Sequence, residues 1–379
     1  MISEGLRGHL RALTDPDRGG RYLLAAVAED GTDGRNVFLT GRVRPGEAAR
    51  DRPELETYSV RVASISKALT ARAALELVQA GLVSLDDLVG DRLAPYGYPE
   101  WLSGRGIRLR DLLCHCSGQQ DRAGYVTEPP DDLPSFLARN AAGIVADWPA
   151  GAHFFYANLN YVLLGAVIEA VSGERFDRVV DASVLRPMNI AGWYNWAGAD
   201  AGTRRRRIPL FERRGKRYDP EADGEPGDWT ADVIWRNGRG IGLGTYRLAR
   251  DSFLFSPHAG LRTTIGGLAR LARSIGGDDK AAVAMREQTW RYDGTNGTWS
   301  DGLFPAFGLG LTLYEDHSRI PGRLAGHAGH ALGFTGGAWC DLETGRGWAY
   351  WLTGSEDATV GQEEESFFAH EEQVIFQTI

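Results

Sequence analysis

The chain is poor in cysteine, lysine and long apolar runs. Its 379 residues contain three cysteines, Cys114, Cys116 and Cys340. An odd number, with two of them a single residue apart, builds no disulfide framework and suits a reducing compartment. No apolar stretch reaches the roughly 18 residues that a membrane-spanning helix needs. Near the start, Glu4, Arg7, Arg11, Asp15 and Asp17 interrupt any signal-peptide core, so the expected location is the cytoplasm. A net charge of −8 disfavours nucleic acid and anionic membranes as partners. A small-molecule substrate is expected instead, and the oligomeric state is left open. Of 42 basic residues only Lys67, Lys216 and Lys280 are lysines. Arginine cannot lose its proton at accessible pH and lysine can, so Lys67 invites a chemical explanation.

What is present is a globular composition, 43% hydrophobic and 10% aromatic, which excludes a disordered chain. Periodicity predicts a helix over 4–13 and a hairpin from the apolar runs 21–28 and 37–44, joined by Asp-Gly turns. A short strand at 58–62 leads into a helix over 64–80 whose polar stripe is only Arg72, Glu76 and Gln79. That helix belongs in a core. Residues 160–172 form a second nearly apolar helix, with Glu169 its only charge. A helix is expected at 264–275, strands at 307–314, 334–340 and 348–353, and a closing helix at 366–379. The basic run 204–217 reads as a solvated insertion or lid, because no aromatics interleave with it.

Four strings could carry chemistry. In Ser64-Ile65-Ser66-Lys67, at a strand-to-helix junction, positions i and i+3 share one helical face, so the Ser64 hydroxyl and the Lys67 amine can meet. The Ser64 N–H, at a helix start, is available to an oxyanion. Burial on an apolar helix shifts a lysine toward its neutral, proton-accepting form. Tyr156-Ala157-Asn158 enters the second apolar helix, and a phenol beside Lys67 could become a phenolate if the ammonium stabilises it. Further along, LRDLLCHCSG spans 109–118, and His327-Ala328-Gly329-His330 lies in GHAGHALGFTGG. Cys114-His115-Cys116 lacks a second paired cluster, so the cysteines read as core residues and no metal is expected. The glycines from Gly238 to Gly244 lack nucleotide-binding context and read as a loop, and no Gly-x-Ser-x-Gly elbow occurs. The eleven tryptophans, Trp193, Trp196, Trp229 and Trp235 among them, are mostly packing.

Taken together, these strings resemble the serine β-lactamase and penicillin-binding-protein-like hydrolases, in particular the class C branch with its family VIII carboxylesterases. LVQAGLVSLDDLV at 77–89 adds to the likeness, which covers most of the chain. The resemblance implies an α+β, β-lactamase/DD-peptidase-like fold. In it an antiparallel sheet flanked by helices (1–84 and 251–379) packs against a helical lobe (85–250), with the active site between them. It implies Ser64 as nucleophile, Lys67 and Tyr156 as a joint base, and Asn158, His327 and Gly329 at the substrate. The His330 N–H would be the second oxyanion donor, and no cofactor is needed. Where penicillin-binding enzymes place a lysine, this chain has His327, a change common in esterase-like members. Recognition of a substrate carboxylate is then doubtful unless Arg262 or Arg323 compensates. Small carboxylic esters are the expected substrates. Amides, D-amino-acid peptides and β-lactams are the alternative, and an idle binding homologue is the third reading, disfavoured by the intact motifs.

Overall fold

The computed structural model describes residues 2–31, 34–125, 127–220, 232–236, 239–297, 304–317, 320–356 and 370–378. Trp229, Gly238 and part of the expected closing helix (366–369 and 379) lie outside them. Among the described residues, nine antiparallel strands form one sheet, and its order brings the two ends of the sequence together. Leu24–Gly31 is hydrogen-bonded on one side to its hairpin partner Gly34–Gly41 and on the other to Gly347–Thr353.

Period-two alternation on these strands sends side chains to two different layers. Leu24, Ala26, Ala28, Ala349 and Trp351 face the main core, together with the helix Ile265–Ile275. Ala25, Val27, Trp348, Tyr350 and Leu352 face a second layer, closed by Leu6 and Leu10 of the helix Glu4–Thr14 and by Ile375 and Phe376 of His370–Thr378. Both faces are therefore covered, which explains why these strands read as apolar runs with little polar alternation.

The expected strand 307–314 is broken. Ala306–Phe307 and Thr312–His317 are separate strands. Between them Gly310 takes φ +91°, where its missing side chain lets the turn lie against Ala71 of the helix Ser66–Gln79. Ile320–Ala331 is a strand the apolar pattern did not mark, because its second half alternates glycine, alanine and histidine. The lobe region also holds two hairpins, Phe211–Arg214 with Arg217–Pro220 and Val233–Arg236 with Arg239–Gly242. The first carries the end of the basic run, and its charges are satisfied locally: Arg213 pairs with Glu356, Arg214 with Glu212 and Arg217 with Asp219.

Two helices meet under the site. Ser66–Gln79 packs on Asn158–Ser172, which is buried without interruption from Leu159 to Glu169. The Glu169 carboxylate accepts from the Phe176 N–H (2.8 Å), the Ala249 N–H (2.7 Å) and the Tyr246 hydroxyl. That single charge in the apolar helix thereby fastens the loop around 246–249 to the helix Asn158–Ser172. A three-stranded sheet, Val60–Arg61, Leu261–Thr263 and Gly192–Tyr194, joins the lobe to the segment leading into Ser64.

Candidate active site

Ser64 sits in a tight 3-10 turn, Ala63–Ile65, immediately before the helix Ser66–Gln79. Ala63 has φ +47°, a left-handed conformation that costs a residue with a side chain about 1 kcal/mol. Ser66 holds this bend: its hydroxyl donates to the Ala63 carbonyl (2.6 Å) and accepts from the Leu261 N–H (3.1 Å). It is no nucleophile, but its loss would leave buried backbone groups unpaired.

One helical turn later Lys67 is fully buried, and its ammonium donates to Ser64 Oγ (3.0 Å), Asn158 Oδ1 (2.8 Å) and the His258 carbonyl (3.2 Å). Burial pulls its pKa down from 10.5 to about 7, against the opposing attraction of Asp121. The amine is thus poised to exchange a proton near neutrality while touching the Ser64 hydroxyl.

Tyr156 behaves differently from the expected phenolate. Burial pushes its phenol well above the usual value, an effect that the Ser64 hydroxyl only partly offsets. Lys67 Nζ lies over the ring, 4.8 Å from its centroid. Among this pair the lysine can be neutral at pH 7, and the tyrosine stays a phenol.

The segment 111–118 explains why Tyr156 is where it is. His115 Nδ1 accepts from the Ala157 N–H (3.2 Å) and faces the Asn160 amide nitrogen (3.1 Å), whose oxygen in turn accepts from Ser117 Oγ (2.6 Å). These bonds place the His115 proton on Nε2 and set its ring 4.4 Å from that of Tyr156. The neighbouring Cys114 and Cys116 are free thiols packed with Phe154, Trp290, Phe304 and Phe307.

The third motif lies on Ile320–Ala331. Gly329 has no alternative here, since a Cβ would lie 2.6 Å from the Val62 carbonyl and 3.3 Å from the Ile65 nitrogen. Absence of a side chain is what brings this strand against the Ser64 turn. The Arg323 carbonyl accepts from Leu342 on the neighbouring strand, so odd-numbered residues bond to that side. Alternation turns the N–H groups of Ala328 and His330 to the other edge, where strand pairing among the described residues stops at Gly326. The His330 ring points away from the Ser64 turn, to Thr335 and Glu372.

His327 is buried. Its Nδ1 meets the Ala328 carbonyl at 2.6 Å, so Nε2 carries the lone pair. Burial and the nearby Lys67 charge push its pKa down to about 3. The third motif therefore presents a neutral acceptor and no cation. Neither proposed substitute is placed to help: Arg262 is buried against the Asn195 amide and the Gly260 carbonyl, and Arg323 lies exposed beside Glu315.

Asp121 was missed in the sequence. Its carboxylate accepts from the Asn158 N–H (2.7 Å), Asn158 Nδ2 (3.1 Å) and the Leu159 N–H (3.1 Å). It caps the start of the helix Asn158–Ser172. Nothing within a few residues of Asp121 announces this, because its partners lie 37 and 38 positions away.

Comparison with known proteins bears on the fold and the family. Penicillin-binding protein 4* of Bacillus subtilis (strain 168) is 30% identical over 158 residues, 39% of this chain and 34% of that protein. The D-alanyl-D-alanine-carboxypeptidase/endopeptidase AmpH of Escherichia coli (strain K12) is 27% identical over 172 residues, 44% of this chain and 43% of that one. These matches span well under half the length of the curated relatives. Among solved structures, the D-amino acid amidase from Ochrobactrum anthropi SV3 superposes with a TM-score of 0.70 at 18% identity, over 99% of this chain and 98% of the amidase. The model of the Beta-lactamase family matches residues 10–367, nearly the whole sequence, and the chain belongs to that family.

Proposed function

We propose that the protein is a serine hydrolase that forms an acyl-enzyme on Ser64. The observation that carries this reading is the fully buried Lys67 amine, in hydrogen-bond contact with both Ser64 Oγ and Asn158 Oδ1. Lys67 in its neutral form takes the Ser64 proton as Oγ attacks a carbonyl carbon. The Ser64 and His330 N–H groups receive the developing oxyanion, at about 3–4 kcal/mol per donor. Tyr156, as a phenol, passes its proton to the leaving group and takes up the one held by Lys67, which restores both groups, and water then releases the acyl chain. The site lies where the sheet region (1–84 with 251–379) meets the lobe (85–250). No metal or organic cofactor enters these steps.

The neutral His327 favours substrates without a carboxylate beside the scissile bond, and small neutral esters come first. Amides form the second reading, favoured by the superposition on a D-amino acid amidase over nearly the full length of both chains. The test is intact-mass detection of an acyl adduct on Ser64, run beside turnover of p-nitrophenyl butyrate, D-alanyl amides and nitrocefin. Ester turnover highest, with adduct and turnover lost in Ser64→Ala, is the expected result. Turnover persisting in Ser64→Ala refutes the mechanism, and faster cleavage of the amide or nitrocefin replaces the ester reading.

A further inference from the structure

The Asn158 amide has two orientations of nearly equal shape, and only one of them presents oxygen to Lys67. The choice is made by Asp121. A carboxylate accepts hydrogen bonds and donates none, so Asp121 Oδ2, 3.1 Å from the amide nitrogen, requires an N–H on that side and turns Oδ1 toward Lys67. Flipping the amide would set oxygen against oxygen at Asp121 and nitrogen against ammonium at Lys67. The two backbone bonds from Asn158 and Leu159 hold the carboxylate at the same helix end, which leaves it little freedom to follow such a flip.

Charge points the same way. The groups that face Lys67 are Tyr156 from its loop, Tyr161 from the lobe helix, and the rings of His115, His258 and His327 from three further segments. Arg61 and Arg236 lie beyond, acting on His258. Among the described residues Asp121 is the acid whose charge bears on the lysine.

We propose that Asp121 is a positioning residue for the hydrolysis set out above: it locks the Asn158 amide oxygen onto Lys67 and supplies the negative charge against which Lys67 takes up the Ser64 proton. This rests on the serine-hydrolase reading. During acylation the Ser64 O–H bond breaks, its proton goes to Lys67 Nζ and its electron pair forms the new bond to the acyl carbon. Asp121 remains a carboxylate throughout and exchanges no proton.

The scarcity of lysine makes a direct test available. Protein labelled with 13C at lysine Cε gives three resonances, of which Lys216 and Lys280 come from exposed side chains and Lys67 is identified by its loss in Lys67→Met. In Asp121→Asn the Lys67 titration midpoint should fall by about one unit or more, since the ammonium loses its counter-charge. With p-nitrophenyl acetate, kcat/KM should fall by about 10- to 100-fold, and its acidic limb should move down with the midpoint. A helix cap alone would leave both pH readouts in place, so an unmoved midpoint overturns the proposal at whatever rate. Should Asp121→Asn not fold, Asp121→Glu decides: charge kept with the amide misplaced predicts a wild-type midpoint with activity down about tenfold. A midpoint that drops in Asp121→Glu overturns it. Ser64→Ala separates the two readings, because turnover surviving there refutes the serine mechanism while the lysine titration still judges Asp121.

Discussion

Replacing Lys67 with methionine should change how stability depends on pH, and the size of the change follows from its burial. An unfolded lysine keeps its proton up to about pH 10.4, whereas the folded one releases it near 7. The folded value is the lower, so between these limits the unfolded chain binds more protons and wild-type stability rises with pH. The slope approaches 1.4 kcal/mol per pH unit and is about half that at pH 7, where the native lysine is half protonated. From pH 7 to 9 the gain comes to roughly 2 kcal/mol. Methionine has nothing to titrate, so the stability of Lys67→Met relative to wild type should fall by that amount over the same range. The substitution also leaves Asn158 Oδ1 and the His258 carbonyl without their donor, which costs about 1–3 kcal/mol each but does not vary with pH. The slope is therefore the readout, and the offset is not. Guanidinium unfolding followed by tryptophan fluorescence at pH 7, 8 and 9 measures it. Parallel curves for the two proteins would mean that Lys67 titrates normally in the fold, and the neutral-lysine base would be refuted.

Three further outcomes are expected. kcat/KM should rise with pH through about 7 as Lys67 loses its proton, and Lys67→Arg should be nearly as inactive as Lys67→Ala, both read from pH–rate profiles. His327, neutral down to about pH 3, should leave the affinity for anionic substrates flat between pH 5 and 8. His327→Lys should favour carboxylate-bearing substrates by about 1–2 kcal/mol in kcat/KM. Gly329→Ala places a methyl 2.6 Å from the Val62 carbonyl, which should push the strand off the Ser64 turn. The expected loss is about 1–3 kcal/mol of stability with a larger fall in kcat than in KM, checked by denaturation and steady-state kinetics.

The contact between Ser64 and Lys67 was legible because helical spacing alone brings the two residues together, and the long helices were legible because their apolar faces are nearly continuous. The strand Ile320–Ala331 was marked by its motif and not by its pattern, since glycines selected for close approach carry no hydrophobic period. Asp121 and His115 act on Asn158 and Ala157 across loops, and such pairings depend on the folded path, which a linear reading does not contain. The protonation state of Tyr156 was likewise out of reach, because desolvation sets it and chain position does not reveal burial.

The seam between the first hairpin and Gly347–Thr353 has a consequence for how the protein is made. Ser64 and Lys67 leave the ribosome more than 250 residues before Gly329 does. Until then the edge of Leu24–Gly31 that Gly347–Thr353 will cover is an unpaired row of backbone donors and acceptors between apolar side chains, open to pairing with other chains. Such long sequence separations slow folding, so this edge stays exposed through most of synthesis. Lesions in the last strand, such as a polar residue at Trp351, should therefore lower soluble yield before they alter the kinetics of the molecules that do fold.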